Sequence, residues 1–238
     1  MTDSSNSSPK RPKLLLIHGM NNNQSCFYPL RDALEEAGFK VELIVLPNHG
    51  EKREEVKTLE EALILFDESL SPHVTGPYRV VAFSQGALYF QLWLSQTKKR
   101  APESYALLAP AVFVNYFSLV RQLSKFLPSK FFILSQMPRM FRRYDKLFIW
   151  EYRLLLEGVE AFSKITLPMA PSLVAIDPKD ELVSGPKVLS YYQALGSKTL
   201  EIQRNDLRKG LGQHHIVFHR DYFSPEEWKE LIHAITMS

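Results

Sequence analysis

The sequence predicts an α/β domain built on a minimal, mostly parallel sheet of six strands flanked by helices, with a helical insertion between the fourth and fifth strands. Short apolar runs fit buried strands at 13–17, 40–46, 78–83, 104–109, 171–176 and 199–204. Helical patterns fall between or after them at 26–37, 58–71, 86–97, 185–195 and 224–236. This alternation of strand and helix predicts a mostly parallel sheet, because parallel neighbours need a crossover connection, usually a helix, rather than a tight hairpin. At 238 residues and 45% hydrophobic content, the chain can bury the core of one such domain.

Along the chain, Lys13-Leu14-Leu15-Leu16-Ile17 stops at His18-Gly19-Met20-Asn21, and the second strand ends in Leu46-Pro47-Asn48-His49-Gly50. Thr58 and Glu61 make a capping box that starts the next helix. Val80-Val81-Ala82-Phe83 then breaks at Ser84 and continues into helix-forming Ala87-Leu88-Tyr89-Phe90. A sharp strand-to-helix turn brings strand and helix too close for large side chains two residues before and after the serine, and those positions are Ala82 and Gly86. Residues 111–168 interrupt the alternation with successive helical patterns and no strand between them, which predicts a helical cap. Residues 13–110 and 169–238 then form the core. Ser224-Pro225-Glu226-Glu227 places Pro at the first position of the last helix. Met1–Pro12 is rich in Ser, Asn and Pro and lacks an apolar h-region, so it reads as a disordered tail rather than a signal peptide.

The net charge of +3 hides an asymmetry. The 111–168 segment carries 12 of the 28 aromatic residues and nine Lys/Arg against four Asp/Glu, so it is +5 and the remainder is −2. The plain reading is a lid whose aromatics pack on the core and whose charges face water. The sharper one is an apolar substrate-binding roof with a basic rim, including Lys125, Lys130, Arg139, Arg142 and Arg143, that makes transient contact with an anionic membrane surface. The uncharged run 104–120 is divided by Pro110 and Asn115 and falls short of a membrane span. The single cysteine, Cys26, excludes an intrachain disulfide and fits a reducing compartment, so the cytoplasm is expected. No Cys/His cluster has zinc spacing, and neither a metal, a cofactor nor a nucleic-acid partner is expected.

A His-Gly pair, then Ser84, then an Asp, then a His, each just past an expected strand, is an order that resembles the α/β-hydrolase family, over nearly the whole chain from about Lys13. The serine motif is that family's G-x-S-x-G with Ala in the first position. The resemblance implies a six-strand version of the fold, since the residues before Lys13 are too few for the extra antiparallel strands that members often carry. It also implies chemistry. A serine hydroxyl is a poor nucleophile until an imidazole takes its proton, and a carboxylate fixes that imidazole's tautomer. Ser84 is the expected nucleophile. Asp180 is the expected acid, because the family places it in a loop of the form G-x-x-D-x-x-V, here Asp177-Pro178-Lys179-Asp180-Glu181-Leu182-Val183 with Asp177 in the glycine position. Glu181 stays as an alternative.

For the base, His215 is preferred because apolar Ile216-Val217-Phe218 follows it, with His214 and the more distant His219 left open. The backbone N–H groups of Met20 and Gln85 are the expected oxyanion hole, His18 is expected to support its loop, and His49 is expected to be structural. The implied activity is that of a serine hydrolase, resembling carboxylesterases and monoacylglycerol-type lipases, that cleaves a small carboxylic ester with an apolar acyl group through an acyl-enzyme. Thioesterase, carbon–carbon bond hydrolase, acyltransferase and peptidase activities use the same triad. A non-catalytic ligand-binding or interaction module is the remaining alternative.

Overall fold

The computed structural model describes residues 12–50, 53, 55–97, 99–135, 137–203 and 213–238. The expected tail lies outside them except for Pro12, whose carbonyl accepts a hydrogen bond from the Lys40 N–H at 2.9 Å. In chain order the elements are β1 (Lys13–Ile17), α1 (Tyr28–Glu36), β2 (Lys40–Ile44), α2 (Leu59–Leu70), β3 (Tyr78–Phe83), α3 (Ser84–Gln96) and β4 (Ser104–Leu108). There follow α4 (Phe117–Phe126), β5 (Phe132–Leu134), β6 (Lys146–Phe148) and α5 (Ile149–Phe162). The chain ends with β7 (Leu173–Ile176), α6 (Gly185–Ala194), β8 (Lys198–Glu201) and α7 (Pro225–Thr236).

Six strands form one sheet in the order β2-β1-β3-β4-β7-β8, and every pairing in it is parallel. The inner strands β1, β3, β4 and β7 are apolar and almost wholly buried, as a sheet covered on both faces requires. The edge strand β2 is more polar, and its Glu42 pairs with Lys13, Lys40 and His73. Capping agrees with the sequence: Thr58 Oγ1 accepts from the Glu61 N–H at 3.1 Å, and Ser224 with Glu227 forms a reciprocal capping box.

The chain steps outward from β1 to β2 in one direction and from β3 to β4 in the other. Right-handed crossovers then place α1 and α3 on opposite faces, which opens a crevice at the C-terminal ends of β1 and β3. On the α3 face, the Tyr192 hydroxyl of α6 donates to Gln91 Oε1 at 2.6 Å. Beneath the crevice, Phe218 stacks on Phe27 with ring centroids 4.1 Å apart and meets Phe83 edge-on at 4.5 Å.

The segment 111–168 is not wholly helical. It holds α4 and α5 but also an antiparallel hairpin, β5 with β6. Three-residue strands are too short to display a period of two, and Phe131-Phe132-Ile133-Leu134 reads equally as a turn of apolar helix.

Candidate active site

Ser84 sits where β3 turns into α3, with φ +51°. That left-handed backbone is strained for a side-chain-bearing residue, and it points the hydroxyl out of the turn. The turn is possible because its neighbours are small. A Cβ built on Gly86 would run into the carbonyl oxygen of His18 and come within 2.8 Å of Ile17 Cγ2. Ala82, in register with Ile17, is fully buried.

The structure brings Ser84, His215 and Asp180 into one hydrogen-bonded chain. His215 Nε2 lies 2.8 Å from Ser84 Oγ, and His215 Nδ1 lies 2.7 Å from Asp180 Oδ2. With Nδ1–H donating to the carboxylate, Nε2 is free to accept the serine proton. Asp180 is held rigidly. Its Oδ1 accepts from the N–H groups of Leu182 and Val183 at 2.8 and 2.9 Å, and its own N–H donates to the Asp177 carbonyl at 3.0 Å. Asn115 Nδ2 donates to the carbonyls of Asp180 and Glu181, fastening the acid loop to the start of the insertion. All three side chains are buried, with Ser84 8% and His215 3% exposed.

The other candidates have different partners. His214 Nδ1 lies 2.6 Å from Asp177 Oδ2, and the His214 N–H donates to Glu181 Oε2 at 3.1 Å. Asp177, which occupies the glycine position of the acid loop, thus ties that loop to the residue preceding His215. Sequence reasoning missed this pair, although the departure from glycine was its signal. His219 caps a 3-10 turn at 220–222.

Met20 and Gln85 lie at the ends of β1 and β3, where the sheet order reverses. Among the described residues neither amide N–H has a protein acceptor. Two neutral histidines hold the Met20 loop. His18 Nε2 accepts from the Leu46 N–H at 3.1 Å, and His49 Nε2 accepts from the Asn21 N–H at 2.6 Å. Their Nδ1–H groups donate to the carbonyls of Gly19 and Pro47. Burial pushes the imidazole of His18 down to about 4 and that of His49 to about 3, with the neighbouring His18 adding to the effect on His49. Asn21 takes φ +59°, a conformation asparagine tolerates.

The insertion clamps the same loop from above. The Arg143 N–H donates to the Asn21 carbonyl at 2.7 Å, and Asn21 Oδ1 accepts from the Tyr144 N–H at 2.8 Å. The Asn23 N–H in turn donates to the Phe141 carbonyl at 2.7 Å. A cavity of about 20 Å³ lies beside Met20 and Gln85, lined also by His49, Tyr89, Trp150 and Leu154 among others. Glu151, also on its wall, pairs with Arg53, and burial lifts its carboxyl above the usual range. Beside the acid loop opens a groove of about 1020 Å³ between the insertion and α6, whose lining includes Val112, Phe113, Phe117, Phe162 and Tyr191. Below the site, Cys26 Sγ donates to the Asn23 carbonyl at 2.6 Å, and burial pushes its thiol up to about 12. Among the described residues no cluster of His, Cys, Asp and Glu has the makings of a metal site.

No family model and no curated relative matches the sequence. Solved structures do. The chain superposes on the monoacylglycerol lipase of Paleococcus ferrophilus with a TM-score of 0.67 at 17% identity, over 95% of this chain and 94% of that one. The fold is that of the α/β-hydrolases. Est1E from Butyrivibrio proteoclasticus (TM-score 0.62, 17% identity, 98% and 90% covered) and MenH from S. aureus (0.61, 14%, 95% and 93%) share it. Within this α/β-hydrolase fold, Ser84 stands at the turn after β3, Asp180 in the loop after β7 and His215 in the chain following β8.

Proposed function

We propose that the protein is a serine hydrolase that cleaves a small carboxylic ester with an apolar acyl group. The observation that carries this reading is the unbroken run of hydrogen bonds from Ser84 Oγ through His215 to Asp180. In the reaction, Ser84 Oγ attacks the ester carbonyl while His215 Nε2 takes its proton, and Asp180 holds the imidazole's tautomer and stabilises its charged form. The N–H groups of Met20 and Gln85 receive the oxyanion; as fixed backbone dipoles at a helix start and a pinned loop, they need little reorganisation. The imidazolium then protonates the departing alkoxide. Water, activated by the same histidine, releases the acid and restores Ser84.

An apolar acyl group is supported by the groove that begins at Val112, next to Ala111, whose N–H donates to the Ser84 carbonyl at 3.2 Å. The insertion 111–168 serves as a cap over the site, with its basic rim toward an anionic surface. The lone, buried Cys26 suits a cytoplasmic protein.

A fluorophosphonate probe tests the reading: the wild-type protein is labelled and hydrolyses p-nitrophenyl esters, and Ser84→Ala does neither. A folded Ser84→Ala protein that keeps more than a few per cent of the activity would overturn it.

A further inference from the structure

We infer that the insertion carries a docking surface for an anionic lipid bilayer, formed by the outer face of α4 together with the β5 strand. The inference deepens the proposed function, resting on its placing the insertion over the site of an enzyme for apolar esters. Leu119, Leu123 and Phe126 recur at the spacing of one face of α4, Tyr116 caps its start, and all four are turned to solvent, Tyr116 78% and Phe126 86% exposed. The whole of β5 is likewise exposed, and Phe131 before it is 49% exposed. The two parts are tied to one another through α5. Arg153 donates to the carbonyls of Ser124 and Leu127, and the Ile149 N–H donates to the Phe131 carbonyl. A monomeric protein in water gains nothing from holding so many large apolar side chains outside its core.

Charge selects the occupant. From Ser104 to Tyr144 the sequence contains six Lys/Arg and no Asp or Glu. Among the described residues, Lys125, Lys130 and Arg139 have no ion-pair partner, and Lys146 Nζ sits 4.1 Å over the Phe132 ring. A second copy of the chain, placed face to face, would bring these cations against each other. A bilayer with acidic headgroups takes the aromatic and aliphatic side chains into its acyl boundary and places phosphates beside the lysines.

The test uses full-length Ser84→Ala protein, so that binding is read without turnover, in co-flotation with phosphatidylcholine vesicles with and without phosphatidylserine. Binding is expected to the anionic vesicles, to fall about fivefold for each of Lys125→Gln and Lys130→Gln, and to weaken as salt is raised. The double variant Phe126→Glu/Phe132→Glu, in the wild-type background, is expected to lose vesicle binding and keep its hydrolysis of a short, water-soluble ester. Absence of binding to anionic vesicles, or binding that survives the double variant, overturns the docking surface. So does a dimer in lipid-free ultracentrifugation that the double variant dissolves, which would give this face to a second copy. Ester hydrolysis is read separately: vesicle binding by a protein inactive on every ester would sink the proposed function and leave the surface standing.

Discussion

Replacing His215 with Ala removes the imidazole between Ser84 Oγ and Asp180 Oδ2, and kcat for ester hydrolysis is expected to fall by about 10⁴-fold or more. His214→Ala is expected to stay within about tenfold of wild type, because its ring contacts Asp177 rather than the serine, and to lower stability by the ~1–2 kcal/mol that a partly buried hydrogen bond to a carboxylate supports. Steady-state kinetics on the two purified variants decide the matter, and the opposite ranking would reassign the base. Adjacent residues of one loop have the same chemistry in a sequence, so the choice rested there only on the apolar residues after His215. Geometry separates them, because each histidine faces its own aspartate. The turn at Ser84 was legible for a better reason, since it needs small residues at both Ala82 and Gly86, whereas Asp180 was picked out only by resemblance to the family's loop pattern, and the structure places both against His215.

The loop after β1 depends on two imidazoles that must stay neutral. Their folded pKa values lie at about 4 for His18 and about 3 for His49, below the ordinary 6.5. As pH falls below 6.5 the unfolded chain binds these protons first, so the stability they support is complete above that value and drains away toward about 4 and then 3. The combined loss should reach a few kcal/mol, visible as a falling thermal midpoint between neutral pH and about pH 4. His49→Gln, which keeps a polar side chain without an imidazole, should make that decline shallower. An unchanged slope would place the acid sensitivity in other groups. At this scale, helix starts were readable wherever a side chain caps a free N–H, as at Thr58 and Ser224. The β5–β6 hairpin was not, because strands that brief are made by pairing with each other, which no local pattern announces.

The parallel sheet was legible because strands and helices alternate, but the reversal of strand order that opens the crevice appears only in three dimensions. One expectation belongs to the molecule as a whole. If the groove of about 1020 Å³ receives the acyl chain, each added methylene should contribute ~0.8 kcal/mol, about fourfold in kcat/KM, from acetyl toward octanoyl p-nitrophenyl esters. A flat or falling series would remove the acyl chain from that groove. The clamp between Asn21–Asn23 and Phe141–Tyr144 also bears on how the protein can be engineered. Deleting 111–168 would strip the Met20 loop of the hydrogen bonds from Phe141–Tyr144 that fix it. A trimmed variant would lose the rigidity of the loop that, on the proposed reading, presents the Met20 amide to developing charge, so the segment is better redesigned around Phe141–Tyr144 than excised.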